Sequence, residues 1–350
     1  MRGYHTHVLV HVNTDFGKLL RKKNLCYTFL FISVFSICSL LSAGGMPVSH
    51  VMKQDLAASY KFAADAVKRS GSNFSRAFFM LSREQRLAFY AVYAFMRFCD
   101  DVSDGDESVE NKREGLSRWR SLLCEATGET HGTTEEDSRD TRTAVILPAF
   151  RDTLQKYSIP AKYFHWIIDG TEMDLDAGRC ETFDDLYKYC FHVASAVGLV
   201  CLRIFGFRED EKEQAGKLAE QCGVAFQLTN ILRDIREDAE RGRIYLPMED
   251  MRRFKYTEDD LKNGVVNENF RALMRFEAER ARFYYGEARK LLPLVTPASR
   301  PSLWIMMDVY SRLLERIVES GFDVFKKRVR LSRNEKISII LKAVLMRLKG

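Results

Sequence analysis

The chain has 350 residues, of which 46% are hydrophobic and 29% are charged, and its formal net charge is +6 at pH 7. A chain of this length and composition can bury a large core, which excludes an intrinsically disordered protein. Only 7 prolines and 20 glycines interrupt it, so long helices are favoured over a β-rich or collagen-like fold. The excess of positive charge is modest, and acidic residues are interspersed among the basic ones. It suits an anionic ligand or an anionic membrane, and we predict no nucleic-acid partner.

The first 45 residues form an apolar leader that differs from the rest of the chain. No residue between Lys23 and Lys53 carries a charge, residues 25–41 are strongly apolar, and basic residues precede them. This order is typical of a signal peptide or a short membrane anchor. A third interpretation, which we prefer, is that the protein begins at Met46. A cleaved signal peptide fits poorly with eight cysteines that form no CxxC pair and that we interpret as reduced thiols.

Residues 46–350 are predicted to form one all-α domain. From residue 55 to residue 349 the hydrophobic periodicity is helical almost throughout. The sequence contains no GxGxxG, no P-loop motif and no alternation of strands with helices. A polar segment at 126–142, rich in Gly and Thr, predicts an exposed loop. In chain order, the predicted helices cover residues 83–100, 143–157, 160–175, 183–205, 209–238, 268–292, 300–328 and 333–348.

A first acidic cluster, RFCDDVSD at residues 97–104, lies at the end of a predicted helix. Asp100 and Asp104 are four residues apart and share a helix face. At about 100° per residue, Tyr93 and Arg97 fall within roughly 60° of these aspartates. The pattern therefore places two carboxylates, a guanidinium and a phenol on one side of a single helix.

A second acidic cluster lies in the predicted helix at 209–238. Asn230, Asp234 and Asp238 form an i, i+4, i+8 stripe, and like charges at this spacing destabilise a helix by a few tenths of a kcal/mol. A divalent cation would offset this repulsion. Oxygen ligands without His or Cys select Mg²⁺ or Mn²⁺, and Mg²⁺ completes its shell with water and substrate phosphates.

Each cluster alone could be the solvated face of a surface helix. Both clusters, however, lie in uninterrupted apolar helix, which favours acids that face an enclosed polar cavity. Carboxylates, Mg²⁺ and arginines that converge in such a cavity suit the ionisation of a prenyl diphosphate. An aromatic, water-poor wall would then protect an allylic cation, and the chain has 24 Phe and 14 Tyr from which to build it.

Three stretches of the chain resemble the squalene/phytoene synthase family, the head-to-head prenyl synthases. The resemblance runs from about Ser70 to about Leu331 and is strongest to bacterial members that make presqualene diphosphate. The stretches are SNFSRAFFMLSREQRLAFYAVYAFMRFCDDVSD at 72–104, YCFHVASAVGLVCLRIFG at 189–206 and FQLTNILRDIREDAERGRIYLP at 226–247.

The resemblance implies an all-α fold of the isoprenoid-synthase type, a single helical bundle with a central active-site cavity. It implies that Mg²⁺–diphosphate is bound on one wall by Asp100 and Asp104 and on the opposite wall by Asn230, Asp234 and Asp238. The implied catalytic residues are Tyr93, Arg97, Tyr189 and Arg233. The implied substrate-binding residues are Ser72, Phe74, Phe78, Val193, Ala194, Val197, Gly198, Gln227, Tyr310 and Arg328. At Ser72 some family members carry lysine, so this chain loses a cationic phosphate contact there.

The implied reaction joins two allylic prenyl diphosphates head to head. One of them ionises, the double bond of the second attacks its C1 cation, and proton loss closes a cyclopropane. The motifs contain no strong side-chain base, so released diphosphate or a tyrosine-linked water is the candidate base.

The product is predicted from weaker signals. The stretch at 310–331 resembles the bacterial presqualene members, so we predict two farnesyl diphosphates as substrates and presqualene diphosphate or squalene as product. NADPH is needed only for squalene. Phytoene synthesis from two geranylgeranyl diphosphates is the alternative, since the flap GRIYLP at 242–247 is shared with phytoene synthases. A non-catalytic assembly factor of the same fold is an alternative of another class.

The C-terminal segment is basic and amphipathic. It fits either an ordinary terminal helix packed on the bundle or a helix that lies on anionic lipid and lets an apolar product leave. We predict a cytoplasmic protein, monomeric or weakly dimeric, on the inner face of the membrane, with an additional anchor if residues 1–45 belong to it. The basic residues are Lys326, Lys327, Arg328, Arg330, Arg333 and Lys336, and the apolar ones are Ile337, Ile339, Ile340, Leu341, Val344 and Leu345.

Overall fold

The computed structural model describes residues 50–70, 78–129, 141–176 and 178–349. Within these ranges the chain is helical and contains no strand, only isolated β-bridges. The predicted all-α fold is therefore confirmed. The leader at 1–45 and the predicted substrate residues Ser72 and Phe74 lie outside the described residues.

The helices are labelled here in chain order. The α-helices are α1 His50–Ser70, α2 Arg83–Ser103, α3 Val109–Thr127, α4 Thr141–Lys156, α5 Ala161–Met173, α6 Phe183–Cys190, α7 Ala196–Phe205, α8 Lys212–Glu240, α9 Met248–Arg253, α10 Glu258–Lys262, α11 Glu268–Ala288, α12 Arg300–Glu319 and α13 Arg333–Lys349. Short 3₁₀ turns lie at Asp174–Asp176, Glu209–Glu211 and Arg289–Leu291, and a π turn at Phe191–Ser195 joins α6 to α7.

Local sequence signals set several helix boundaries. Ser82 begins α2 with a capping box, in which its hydroxyl accepts a hydrogen bond from the backbone N–H of Gln85. The Gln85 side chain accepts one from the backbone N–H of Ser82 in return. Pro160 and Pro247 directly precede α5 and α9, where no N–H is needed and the fixed φ of proline suits a helix start.

The predicted helix at 300–328 is wrong in its C-terminal part, because α12 ends at Glu319. Gly321 and Phe322 have φ values of 65° and 62°, a left-handed conformation that does not continue an α-helix. Arg328 consequently lies in the loop after α12. The short helices α9 and α10 are not predicted from the sequence, because segments of 6 and 5 residues are too short to show a helical period.

Helix α8 is the central helix of the bundle. Its segment from Cys222 to Ile235 is buried on nearly all sides, and α8 packs against α7, the π turn, α11 and α12. A surface helix exposes one face, so a helix buried all round lies inside the bundle. Because α8 carries the second acidic cluster, the tertiary fold encloses most of those polar groups.

The stretch Phe183–Phe205, which comprises α6, the π turn and α7, is long and apolar enough to cross a membrane by length and composition alone. Half of its most apolar window is buried in the bundle, and the stretch packs against α8 and α5. A buried core helix has the same apolar composition as a membrane span. We interpret this stretch as the core helix that faces α8.

Helix α8 approaches the π turn and α7 so closely that two positions require glycine. A Cβ atom on Gly223 would lie 2.5 Å from Cα and 2.6 Å from the backbone N of Ser195. A Cβ atom on Gly198 would lie 2.8 Å from the carbonyl oxygen of Ala219. Both contacts are with backbone, which cannot move aside as the tip of a side chain can.

Gly223→Ala is therefore expected to lower the free energy of unfolding by about 1–3 kcal/mol, because overpacking must displace backbone atoms. Gly216→Ala is the matched control on the same helix, since a Cβ atom there would lie 3.9 Å from Leu199 Cδ2, an ordinary contact. Helix propensity should make this control neutral or stabilising by about 0.5–1 kcal/mol. Denaturant unfolding followed by circular dichroism measures both changes, and equal effects would contradict the close contact of α8 with the π turn.

Candidate active site

A cavity lies between α2, the stretch Phe183–Phe205, α8 and α12, and its wall contains most of the residues predicted for the site. These residues come from elements far apart in the sequence, so only tertiary packing brings them together. The predicted residues in the wall are Phe78, Tyr93, Arg97, Asp100, Val193, Ala194, Val197, Gly198, Gln227, Asn230, Arg233 and Tyr310.

Aromatic rings form a large part of the cavity wall. Phe78 stacks on Phe89 with ring centroids 4.2 Å apart, and Phe89 lies 5.1 Å from the ring of Phe205. Phe226 stacks on Tyr310 at 4.4 Å, and all five rings line the cavity. A wall of this kind excludes water, and the faces of its rings attract cations.

Asp100, on α2, is the carboxylate of the first cluster that lines the cavity. It is buried, and no described residue forms a hydrogen bond with its Oδ2. Burial raises the pKa of Asp100 well above its ordinary value, Arg97 opposes this effect and Asp104 reinforces it. Burial also raises the pKa of Asp104. Arg97 itself forms an ion pair with the neighbouring Asp101 at 2.7 Å.

Arginines hold the second cluster in place on α8. The Nε of Arg233 donates a hydrogen bond to Oδ1 of Asp234 at 2.7 Å. The guanidinium of Arg328 donates to Oδ2 of the same aspartate at 2.7 Å and to Glu237 at 3.3 Å. Both arginines are largely buried. The loop after α12 thus brings Arg328 to the cluster, although the sequence separates them by 94 residues.

The structure adds Asp174, which was not predicted from the sequence. Asp174 lies in the 3₁₀ turn after α5, and its Oδ1 accepts hydrogen bonds from the hydroxyls of Tyr189 at 2.9 Å and Tyr245 at 2.8 Å. The rings of the two tyrosines stack with centroids 4.6 Å apart. Arg243 donates to the backbone carbonyl of Asp174 at 2.9 Å. The predicted residue Tyr189 is therefore held beside a buried carboxylate.

Asp174 interacts with both acidic clusters. Burial is the main cause of the raised pKa values of Asp100, Asp104 and Asp238, and the charge of Asp174 raises all three further. Arg243 opposes the effect at Asp104 and Asp238. An acid at the end of an apolar helix, the same signal as in the first cluster, could have identified Asp174 from the sequence.

Carboxylates and arginines lie together in this part of the molecule. A buried carboxylate is unfavourable unless a cation neutralises it. The carboxylates are those of Asp100, Asp101, Asp104, Asp174, Asp234, Glu237 and Asp238, and the arginines are Arg97, Arg233, Arg241, Arg243 and Arg328.

The oxygen atoms of the site fit a hard divalent cation. No described residue forms a hydrogen bond with Asp100 Oδ2 or Asn230 Oδ1, and both atoms are buried. Asn230 uses its Nδ2 to donate to Gln227 at 3.3 Å, which leaves its oxygen for another partner. Carboxylate and amide oxygens with unused lone pairs are the ligands that Mg²⁺ prefers.

In the absence of metal, Asp100→Asn is expected to raise the melting temperature. Because burial raises the folded-state pKa of Asp100, this carboxyl contributes most to wild-type stability at acidic pH, and its contribution is lost as the pH rises through that pKa. The amide does not titrate, so the gap between variant and wild type should widen as the pH rises above about 4, the ordinary pKa of an aspartate, and reach roughly 1–3 °C. Differential scanning calorimetry with a chelator present measures the gap.

The same variant should lose most of the stabilisation that Mg²⁺ and inorganic diphosphate give the wild type, because a ligand of the folded state raises its melting temperature. Asp106→Asn is the matched control, since Asp106 is exposed and lies just beyond the first cluster. It should keep both the wild-type melting temperature and the wild-type response to Mg²⁺. Equal Mg²⁺-induced shifts in the wild type and Asp100→Asn would exclude Asp100 as a metal ligand.

Helices that surround a cavity with aromatic rings in its wall and with carboxylates and arginines beside it define an all-α fold of the isoprenoid-synthase type. The crystal structure of a dehydrosqualene synthase in complex with ligand matches this chain with a TM-score of 0.73 at 27% sequence identity, over 85% of this chain and 100% of that one. The squalene synthase HpnC from Alicyclobacillus acidocaldarius matches with a TM-score of 0.67 at 27% identity, over 79% of this chain and 97% of that one.

Sequence similarity narrows the class to one family. The squalene/phytoene synthase family model matches residues 67–335, well over half of the chain. The 15-cis-phytoene synthase of Synechococcus elongatus is 34% identical over 283 residues, which cover 78% of this chain and 88% of the relative. The chloroplastic phytoene synthase 1 of Arabidopsis thaliana is 31% identical over 295 residues, which cover 81% and 67%. The chain therefore belongs to the squalene/phytoene synthase family.

Proposed function

We propose that this chain is a phytoene synthase, which joins two molecules of geranylgeranyl diphosphate head to head. Membership of the squalene/phytoene synthase family makes it a prenyltransferase that condenses two prenyl diphosphates. One observation carries the choice of product. The relatives at 31–34% identity bear the name phytoene synthase, whereas the dehydrosqualene and squalene synthase structures are 27% identical.

We therefore favour phytoene synthesis, the alternative predicted from the sequence, over the condensation of two farnesyl diphosphates that was predicted first. The stretch at 310–331 favours two farnesyl diphosphates and a presqualene or squalene product. That stretch is a single segment, whereas the identity with the phytoene synthases extends over 78% or more of the chain. Phytoene synthesis involves no net reduction, so the proposed reaction does not use NADPH.

We assign the two acidic clusters to metal binding. When bound, Mg²⁺ or Mn²⁺ supplies positive charge that neutralises the departing diphosphate. Deprotonated carboxylates are needed for this role, and the raised pKa values of Asp100, Asp104 and Asp238 should make metal binding weaken as the pH falls. The residues that would hold the metal are Asp100, Asp104, Asn230, Asp234 and Asp238.

We assign diphosphate binding to the arginines beside the clusters. Arg97, Arg233 and Arg328 each hold a carboxylate of the site. A guanidinium has five N–H groups, so each arginine can hold a carboxylate and also donate to phosphate oxygens. Charge-assisted hydrogen bonds of this kind are short and strong, which would fix the reacting end of each substrate.

The apolar part of the cavity receives the prenyl chains in this proposal. Small and medium side chains from the π turn and α7, among them Ala194 and Val197, line the part of the cavity beside α8. The rings of Phe78 and Phe89 line another part of the same wall. Because these rings exclude water, an allylic cation formed beside them is shielded from hydrolysis.

The proposed reaction begins with the ionisation of one substrate. The C1–O bond of one substrate breaks, and the diphosphate leaves with the electron pair. The double bond of the second substrate then forms a bond to C1, and loss of a proton closes the cyclopropane ring. We assign this proton to the released diphosphate, an anion that the first step leaves beside the cation. Ionisation of the second diphosphate, rearrangement and loss of another proton give phytoene.

Tyr189 is expected to act on the cation, whereas Tyr245 only helps to position Asp174. Both hydroxyls donate to the same oxygen of Asp174, but Tyr189 lies one turn before Val193, a residue of the cavity wall. Tyr189→Phe should lower kcat by roughly 10²-fold with KM nearly unchanged, as expected for a lost transition-state contact. Tyr245→Phe is the matched control and should lose less than about ten-fold. Equal losses in steady-state assays would show that both tyrosines serve only to position Asp174.

The decisive assay incubates the purified full chain and Mg²⁺ with radiolabelled farnesyl or geranylgeranyl diphosphate, with and without NADPH. We expect a C40 hydrocarbon from geranylgeranyl diphosphate, in an amount that NADPH does not change. Asp234→Asn should abolish this product, since it removes a proposed metal ligand.

Two other results would contradict the proposal. Presqualene diphosphate or squalene formed only from farnesyl diphosphate would restore the C15 hypothesis. A folded protein that consumes neither substrate would support a non-catalytic assembly factor. The presence of all five proposed metal-binding residues argues against this second outcome.

A further inference from the structure

We propose that α13 docks the protein on the surface of an anionic lipid bilayer. Four large apolar side chains of this helix are exposed, Ile337 by 54%, Leu341 by 59%, Leu345 by 56% and Leu348 by 78%. Their spacing of three or four residues places them along one face of the helix. We call these four residues the docking stripe. Contiguous apolar surface of this kind marks an interaction site.

A second face of α13 fixes the helix to the bundle. Ile339 and Ala343 have no exposed surface, and α13 packs on α12. At about 100° per residue, the middle of this buried pair lies roughly 180° from the middle of the docking stripe. The helix is thus held by one side, and the docking stripe points away from the protein.

Basic residues border the docking stripe. Helix α13 contains five basic residues and one acid, Glu335, which accepts a hydrogen bond from Arg316 at 2.9 Å. Arg333 borders the stripe on one side and Lys342 on the other. An apolar stripe with basic borders is typical of helices that lie in the surface of an anionic bilayer. The basic residues are Arg333, Lys336, Lys342, Arg347 and Lys349.

The charges favour a bilayer over a second copy of the chain. Two copies that paired their docking stripes would bring two sets of basic residues together, and like charges across an interface are unfavourable. The apolar leader at 25–41 carries no acid that could pair with these residues. Anionic headgroups supply the complementary charge, and the outer acyl region can take up the stripe.

Helix α13 is also tied to the wall of the cavity. Arg347 donates a hydrogen bond to the backbone carbonyl of Met80 at 2.6 Å. Phe78, two residues earlier, lines the cavity, and Phe79 between them is 39% exposed. A bilayer that contacts the docking stripe would therefore lie beside this part of the wall, where a hydrocarbon could pass without crossing water. This consequence rests on the proposed function, whereas the docking itself does not.

The test uses the full chain and vesicles with brominated phospholipid, which quenches tryptophan only at close range. Leu345→Trp places a reporter in the docking stripe. Phe283→Trp, at a position on α11 that is 63% exposed, is the matched control. The three native tryptophans set the background. With phosphatidylglycerol vesicles, Leu345→Trp should show roughly two-fold more quenching than the unsubstituted chain and Phe283→Trp no increase, because only the stripe enters the bilayer. Salt at about 0.5 M should weaken the effect by screening the basic residues.

A second measurement removes two apolar side chains of the docking stripe and compares vesicle binding. Leu341→Gln combined with Leu345→Gln should reduce binding to the same vesicles by about ten-fold, because two anchoring side chains become polar. Turnover in detergent should stay unchanged, so a failure of docking can be told from a failure of the proposed function. Vesicle binding by the full chain without extra quenching at Leu345→Trp would overturn the proposal and point to the leader. A dimer that the double substitution converts to a monomer would overturn it in favour of a second copy.

Discussion

The burial of charged side chains inside an apolar helical bundle is the constraint on which the rest of the structure depends. Helix α8 carries Asn230, Arg233 and Asp234 at positions that are at most 6% exposed. Burying an ion costs several kcal/mol unless a partner compensates it. Arg233 and Arg328 compensate Asp234. Burial raises the pKa values of Asp100 and Asp238, and the arginines near them oppose this effect.

Close backbone packing gives these charges fixed positions. Gly223 allows α8 to meet the π turn, and Gly198 allows α7 to meet α8. The π turn and α7 line one side of the cavity, while Gln227, Asn230 and Arg233 of α8 line another. Buried charged groups stabilise each other only in good geometry. The close backbone contacts fix the positions of these groups, so the ion pairs of the site can offset the cost of burying them.

The proposed substrates explain why polar and apolar surfaces alternate in this molecule. A prenyl diphosphate has one strongly anionic end and one long hydrocarbon chain. The carboxylates and arginines suit the first, and the aromatic wall of the cavity suits the second. The docking stripe suits the same chemistry outside the cavity, because a hydrocarbon product is poorly soluble in water and a bilayer offers it an apolar environment.

The sequence by itself determined the all-α class and the two acidic clusters with the arginines beside them, because helical period and residue chemistry are local properties. It also identified nearly half of the residues in the cavity wall, among them Tyr93, Arg97 and Gln227, which share helix faces with the acids. Tertiary structure alone decided what depends on contacts between distant segments. Asp174 accepts hydrogen bonds from tyrosines on two other segments, and Arg328 meets Asp234 across 94 residues. Which face of α13 is covered was likewise decided by packing on α12, because periodicity marks an apolar stripe but does not show whether another helix buries it.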